Sequence, residues 1–587
     1  VKPARVFLPA ILSALLLWTA FFPLDLGPVA FVAMVPFLTL VRAAGVGPWR
    51  RYGAAFLGGL VFFGLAVKWV RVAHPMMALF AWPGITIYCA LYWPLALLLL
   101  RKLDRFGLPL AATFPAVWVG LEYVRMHFPT GFPFLQYVGL HQLIGFGWYD
   151  LGYAMHRISP LIQAADFGGI YLISLAVAAV NGIVYDWAVR VKIVRLALRW
   201  PVAWTPRTFT RETYTSAAVL SIPTLMICYG TVQLAHLPFP AGPRVHAIQG
   251  DLPQYRKDQP HEADVNTVPE SPPVDQEYFP LARQAATSGP NAPPPDLIVW
   301  PETCWADDWW FAATGSGENP EMPNFHARVA RYQQIIGRQA AELTHTNALL
   351  GLNAHEWTGT KMRKFNSALL IRPDGTSAER YDKVHLVPFG EYVPLKDQLP
   401  WLQTFTPYKH EYSCAPGESW TRFTLPTAKG VAKFGVLICY EDTDPSIARR
   451  YNPSAGGEGV DFLVNISNDG WFDGTEEHEE HLAVCRFRAI EARRSVVRAV
   501  NMGISAVIDP DGRIVALPVE ESWEKSKKTR GIVRASVPLD ARGSIYAFLG
   551  DWVPALCWLG IVVGLVLPRR LTIPVIDPTT ANTQSAR

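Results

Sequence analysis

The stretch GVLICYED, residues 435–442, runs an apolar strand pattern into a cysteine, a tyrosine and two carboxylates. A thiol in that place is core packing, a metal ligand, half of a disulfide or a nucleophile. The seven cysteines lie far apart and form no CxxC pair, so neither a zinc site nor a disulfide framework is expected. Cys89, Cys228 and Cys557 fall in apolar runs, where a thiol acts as a small hydrophobe. Working outward from Cys439, strand-like runs recur at 244–252, 296–302, 347–357, 365–375, 431–441, 461–469, 496–512 and 531–537. Asp-Gly at 374–375 and at 511–512 marks two hairpin turns. Helical periodicity over 323–344 and 476–494 completes an α/β sandwich with sheets inside and helices outside. Residues 256–295 are Pro-rich and polar, and read as a surface excursion around one short helix.

The sequence before this sandwich has a different composition. Charged residues make up 17% of the 587 residues, below the roughly 25% usual in soluble domains, and the deficit is concentrated before residue 240. Apolar runs near 5–24, 27–43, 52–70, 76–100, 107–125, 159–187 and 215–236, with one more at 548–567, approach the ~20 residues that cross a bilayer. The first run resembles a signal peptide but lacks a clear small-residue cleavage site and leads straight into further spans, so it is expected to be retained. Lys and Arg concentrate at one end of successive runs: Lys2 and Arg5, then Arg42, Arg50 and Arg51, then Arg101, Lys102 and Arg105, then Arg190–Arg211, then Arg569 and Arg570. By the positive-inside rule both termini are cytoplasmic and 237–547 lies outside. The expected organisation is a seven-span domain over 1–240, an extracytoplasmic domain over 241–547, an eighth span over 548–568 and a cytoplasmic tail over 569–587. Between two spans, 121–142 mixes charge, Pro, Gly and aromatics, and reads either as an interfacial belt or as a partly inserted loop shaping a lipid-facing entrance. The net charge of +4 makes no case for nucleic acid.

Three strand ends carry chemistry. VWPET places Glu302 after a buried strand, the segment 380–394 carries Lys383 and Glu391, and LICYE presents Cys439. A rigid sheet can hold such side chains in one cleft. A thiol, a carboxylate and an ammonium are the set that acyl transfer through a thioester needs: Cys439 attacks, Glu302 takes and returns the proton, and Lys383 stabilises the oxyanion.

WPET, YDKVHLVPFGEYVP and CYED, in that order, resemble the nitrilase superfamily with its Glu–Lys–Cys triad. TGFPFLQY at 130–137, IQGDLPQ at 248–254, SNDGWF at 467–472 and the long run 486–512 narrow this to a resemblance with the apolipoprotein N-acyltransferase family, over nearly the whole chain. The resemblance implies a multi-pass α-helical membrane domain carrying an extracytoplasmic α-β-β-α sandwich. It implies Glu302 as general base, Lys383 as oxyanion cation and Cys439 as nucleophile. Glu391 and Glu441 become supporting carboxylates, and Tyr440 and Trp471 part of the site wall or of a loop over it. It further implies a phospholipid acyl donor, the α-amino group of a diacylglyceryl-modified apolipoprotein cysteine as acceptor, no cofactor, and a place in the bacterial inner membrane with the catalytic domain on the periplasmic side.

The chain departs from the family pattern at Cys304, two positions after Glu302, and at Gly470. HEEHL at 478–482 spaces its histidines three apart, not the four of a zinc-binding helix, and is expected to be a solvated, Glu-rich helix N-terminus without metal. The rival functions are a membrane-tethered amidase using the same triad with water, and a transporter or receptor with an outer binding domain. Against the first stands the size of the apolar half, since one span is enough for tethering. Against the second stand span centres that lack ionisable groups.

Overall fold

The computed structural model describes residues 4–43, 45–132, 142, 145–191, 209–257, 273–287, 293–394, 399–405, 412–520 and 522–567. The Pro-rich stretch 258–272, most of TGFPFLQY and the tail expected at 569–587 lie outside the described residues.

Two sheets face each other from Ala241 onward. The first has the order β13-β1-β2-β4-β5-β6, with β3 paired to β4. Its strands are β1 (Ala241–Gln249), β2 (Leu297–Val299), β3 (Trp309–Ala312), β4 (Asn347–Trp357), β5 (Met362–Ile371), β6 (Ser377–Asp382) and β13 (Gly531–Pro538). The second has the order β12-β11-β10-β9-β8-β7. It contains β7 (Arg422–Thr427), β8 (Gly430–Ile438), β9 (Phe462–Asn468), β10 (Ser495–Asn501), β11 (Ala506–Ile508) and β12 (Ile514–Ala516). Strand alternation divides the core into layers. Val245, Leu297, Val299, Val436, Ile438, Val464 and Val497 meet between the sheets. Ile298 and Trp300 point outward instead, onto helices α8 (Pro273–Ala286) and α9 (Phe325–Thr344). Leu437, Leu463 and Val496 point the other way, onto α10 (Pro445–Arg449) and α11 (Glu477–Ala492). The result is a four-layer α-β-β-α sandwich. Both Asp-Gly hairpins form, β5–β6 and β11–β12, with φ of 81° at Gly375 and 77° at Gly512. β3, β6, β7 and β12 are additions to the strands read from sequence, being short or edge strands with weak alternation.

The first half is helical: α1 (Ala4–Thr19), α2 (Pro48–Ala66), α3 (Trp82–Ala90), α4 (Tyr92–Leu103), α5 (Leu110–His127), α6 (Ala165–Ala188) and α7 (Phe209–Gln233). After the sandwich follows α12 (Trp552–Val566). Three helical stretches among the described residues are long and apolar enough to cross a membrane: Met77–Phe106, Ala165–Ala188 and Thr213–Gln233. Val6–Thr19, Gly27–Leu38 and Trp552–Val566 are shorter apolar helices. Residues 121–127, expected in an irregular loop, complete the last turns of α5.

The two halves share a buried boundary. Val484, Phe487 and Ile490 of α11 belong to the core of the helical half, while Leu482, Cys485 and Ala489 belong to that of the sandwich. Arg493 binds Asp166 at 2.6 Å and Asp511 at 2.9 Å, and Glu491 accepts the Ile170 N–H at 2.8 Å. The expectation of a solvated helix start at 478–482 is therefore corrected. Glu477, His478, Glu480 and His481 are all buried, because the helical half covers the face that would otherwise meet water.

Candidate active site

Glu302, Lys383, Cys439 and Asp469 all follow the carboxyl ends of strands: β2, β6, β8 and β9. That end of an α/β sheet is where loops gather functional groups. Glu302 gets there because β4 yields to the chain beside it. A Cβ on Gly351 would lie 2.1 Å from the Pro301 carbonyl oxygen, so only glycine lets the Pro301–Glu302 turn pack this close. Cys439 sits directly after β8 at φ 51°, in the left-handed region that side chains rarely adopt. This bend turns the thiol out of the strand and starts the short turn Cys439–Thr443. Strain of this kind clusters at functional sites.

Lys383 is buried, with its Nζ 3.2 Å from Glu302 Oε1 and 2.8 Å from Glu391 Oε2. Asn366 Nδ2 donates to both carboxylates, at 2.6 Å to Glu302 and 2.7 Å to Glu391. The Asn468 N–H donates to the other oxygen of Glu302 at 3.0 Å. Burial disfavours a charged Lys383, but Glu302 and Glu391 outweigh it and push its pKa well up, so the ammonium persists. Cys439 is partly exposed, and its thiol lies within electrostatic reach of Glu302, Lys383, His481 and Asp469. Burial, and after it Glu302, push its pKa up to about 12, against the pull of Lys383 and His481. The resting group is a thiol, so attack on a carbonyl requires a base in the same step, and Glu302 is the carboxylate beside it.

The other residues singled out from sequence have distinct places. Glu441 accepts from the Tyr381 hydroxyl at 2.8 Å, the Val384 N–H at 2.7 Å, the His385 N–H at 3.1 Å and the Ile438 N–H at 2.7 Å. It staples the end of β8 to the segment carrying Lys383. Glu391 joins the ion cluster itself. The Tyr440 hydroxyl donates to the Gly145 carbonyl of the helical half at 3.0 Å. Gln142, from the same half, donates to Val384 O at 2.8 Å and accepts from Leu386 N at 3.0 Å. Trp471 is half-buried in the turn Asp469–Phe472, and the neighbouring Phe472 ring meets Trp69 of the helical half edge-on at 4.8 Å. Cys304 is buried in the core under α8 and α9, where its thiol donates to the Glu302 carbonyl at 3.2 Å.

Sequence reasoning missed Asn366 and Asn468. An asparagine inside an otherwise apolar strand run, as in FNSALLI, is the signal that could have found the first. It also missed a group behind Cys439. Asp469, Glu477 and His481 bring one donor atom each to within 4.8 Å of one another. The His481 ring nitrogens already engage carboxylates, and Arg498 lies 2.9 Å from Asp469, so the cluster is filled with positive charge from the protein itself.

Comparison with known proteins covers both halves. Residues 13–183 match the apolipoprotein N-acyltransferase N-terminal domain family, and residues 276–545, most of the sandwich, match the carbon-nitrogen hydrolase family. An apolipoprotein N-acyltransferase from Geobacter metallireducens is 30% identical, with 97% of this chain and 96% of the relative covered. One from Methylococcus capsulatus is also 30% identical, with 96% of each chain covered. One from Rhodopirellula baltica is 25% identical, covering 94% of this chain and 95% of the relative. With similarity running through both halves and nearly end to end, the chain belongs to the apolipoprotein N-acyltransferase family.

Proposed function

We propose that this protein N-acylates lipoproteins by carrying a fatty acyl chain on Cys439, with a membrane phospholipid as donor and the α-amino group of a diacylglyceryl-modified N-terminal cysteine as acceptor. The observation that carries this reading is the buried Glu302–Lys383–Glu391 ion cluster beside a thiol at a strained strand end, held against an apolar helical half by Tyr440–Gly145 and Gln142–Val384.

In the first step the Cys439 sulfur attacks the ester carbonyl carbon and its proton passes to Glu302. Lys383 and the Tyr440 N–H stabilise the oxyanion. The ester C–O bond breaks, and the lysophospholipid oxygen leaves with the proton from Glu302. In the second step the acceptor amine attacks the thioester and gives a proton to Glu302. The C–S bond breaks and the thiolate recovers that proton. Glu391 keeps Lys383 charged and in place, Glu441 holds the nucleophile's turn, and Trp471 shields the thioester from water. Both substrates are bilayer-anchored, so a site built onto spans avoids extracting them. Residues 1–240 form seven spans, 241–547 the catalytic domain on the periplasmic face of the inner membrane, 548–568 the eighth span and 569–587 a cytoplasmic tail.

The test is peptide-resolved mass spectrometry of purified protein after incubation with phospholipid, then with a diacylglyceryl peptide. An acyl mass on the Cys439 peptide that moves to the acceptor is expected. An acyl mass that appears only as free fatty acid, even with acceptor present, would mark a hydrolase instead. Impermeant thiol labelling of single-cysteine variants in intact cells tests the orientation: label at an introduced cysteine in 256–295 and none near 580.

A further inference from the structure

Behind Cys439 lies a closed ring of alternating charges. His481 Nε2 is 2.8 Å from Asp442 Oδ1, and its Nδ1 is 3.2 Å from Asp469 Oδ1. Arg498 completes the circuit, 2.9 Å from Asp469 Oδ2 and 3.2 Å from Asp442 Oδ2. All four side chains are buried, and each comes from a different element: the turn after β8, the turn after β9, α11 and β10. We propose that His481 is a positioning residue for the acylation step: by closing this ring it ties the nucleophile's turn to the Trp471 turn and offsets the negative charge beside the Cys439 thiol.

The geometry supports this in three ways. Asp442 lies three residues after Cys439 and Asp469 two residues before Trp471, so the ring joins the nucleophile's turn to the shielding turn through ionic contacts. The ring balances two carboxylates with two cations, and buried ion networks hold geometry when every member is paired. The helical half also reaches it, since the Trp148 ring lies 5.4 Å from the His481 ring.

The charged and titratable groups facing His481 are Asp442, Asp469, Arg498 and, from its own helix, Glu477 at 3.3 Å. His478 lies nearby, with its Nε2 3.1 Å from the Asp469 carbonyl. Burial and Arg498 disfavour a charged His481, and Asp442 and Asp469 overcome both, pushing its pKa well up. The charges within electrostatic reach of Cys439 include Glu302, Lys383, His481 and Asp469. Loss of the His481 charge therefore leaves Asp469 opposing thiol ionisation, and loss of the Asp469 charge does the reverse. A merely structural pair would not give opposite signs.

This inference rests on Cys439 being the nucleophile, and the experiment separates the two. Iodoacetamide alkylation of the full-length protein in detergent is followed at the Cys439 peptide from pH 7 to 9, with a free low-molecular-weight thiol in the same solution as control. His481→Gln is expected to slow Cys439 alkylation about tenfold, which is one pKa unit. Asp469→Asn is expected to speed it severalfold, and the double variant to return within about twofold of wild type. The rate of thioester formation from phospholipid follows the same order, with KM for phospholipid unchanged. Equal-sign effects of the two single variants, or a double variant worse than either, would overturn the ring's electrostatic role. If His481→Gln does not fold, Asp469→Asn alone decides by its sign. Thioester found on another cysteine would instead overturn the nucleophile.

Discussion

Helices α9 and α11 each cover one sheet of the sandwich, yet they are buried differently. Along α9 only seven residues are buried, among them Val329, Ile336 and Ala340, and Arg328, Arg331, Tyr332 and Ile335 face water. Along α11 every residue from Glu477 to Ala492 is buried. By its polar content α11 should be the exposed one. It is covered because the helical half lies on its far side, and several of its polar side chains find partners there. Arg486 donates to the Gly512 carbonyl at 2.7 Å, Arg488 binds Glu491 at 2.9 Å, and Glu480 takes the Phe22 N–H at 2.9 Å. The outward layer stabilises the sandwich, whereas the inward layer also joins it to the helical half and braces the site.

The largest contrast is expected between thiols on the two sides. Cys439→Ala should abolish both the acyl adduct and N-acylation while the fold persists. Cys304→Ala, in the core of the outward layer, should cost about 1 kcal/mol of stability for its small cavity and keep most of the activity. Assays of both purified variants decide this; a dead Cys304→Ala with an active Cys439→Ala would reverse the assignment.

Next in size is a contrast of arginines. Arg498→Met leaves two buried aspartates to share His481 as their cation and should cost about 3–5 kcal/mol. Arg331→Ala, on the exposed face of α9, should stay within about 0.5 kcal/mol. Thermal or denaturant unfolding measures both. The pH dependence has a definite sign. Burial alone would raise the Asp469 carboxyl, but His481 and Arg498 hold it below the ordinary range. Its contribution is therefore present above the unfolded value of about 3.9 and is lost as pH falls through the lower folded value. In Arg498→Met that loss should begin at a higher pH.

The smallest effect concerns the link between the shielding turn and the helical half. Phe472→Ala removes an edge-on ring contact with Trp69, a type worth about 0.5–1.5 kcal/mol. If that turn keeps water from the thioester, the ratio of N-acylated product to free fatty acid should drop, by up to about tenfold for that energy. Trp471→Ala should lower it in the same direction. An unchanged ratio in both variants would reduce the two rings to packing.

Much of this was legible in residue order alone. The alternation in DLIVW and GVLICYE set which side chains face the partner sheet. The Asp-Gly pairs set two hairpins. The strand ends marked Glu302, Lys383 and Cys439 as candidate site residues, because the loops after strands are where a sheet presents functional side chains. These features depend on local period and turn chemistry, which a sequence carries in full. The sequence could not say what covers α11, that Asn366 bridges Glu302 and Glu391, or that Asp442, Asp469, His481 and Arg498 close a ring. Those pairings join residues far apart in the chain, and whether a buried charge is tolerated depends on the partner that reaches it. Only the tertiary structure brings that partner within 3 Å, as between Arg498 and Asp469 at 2.9 Å.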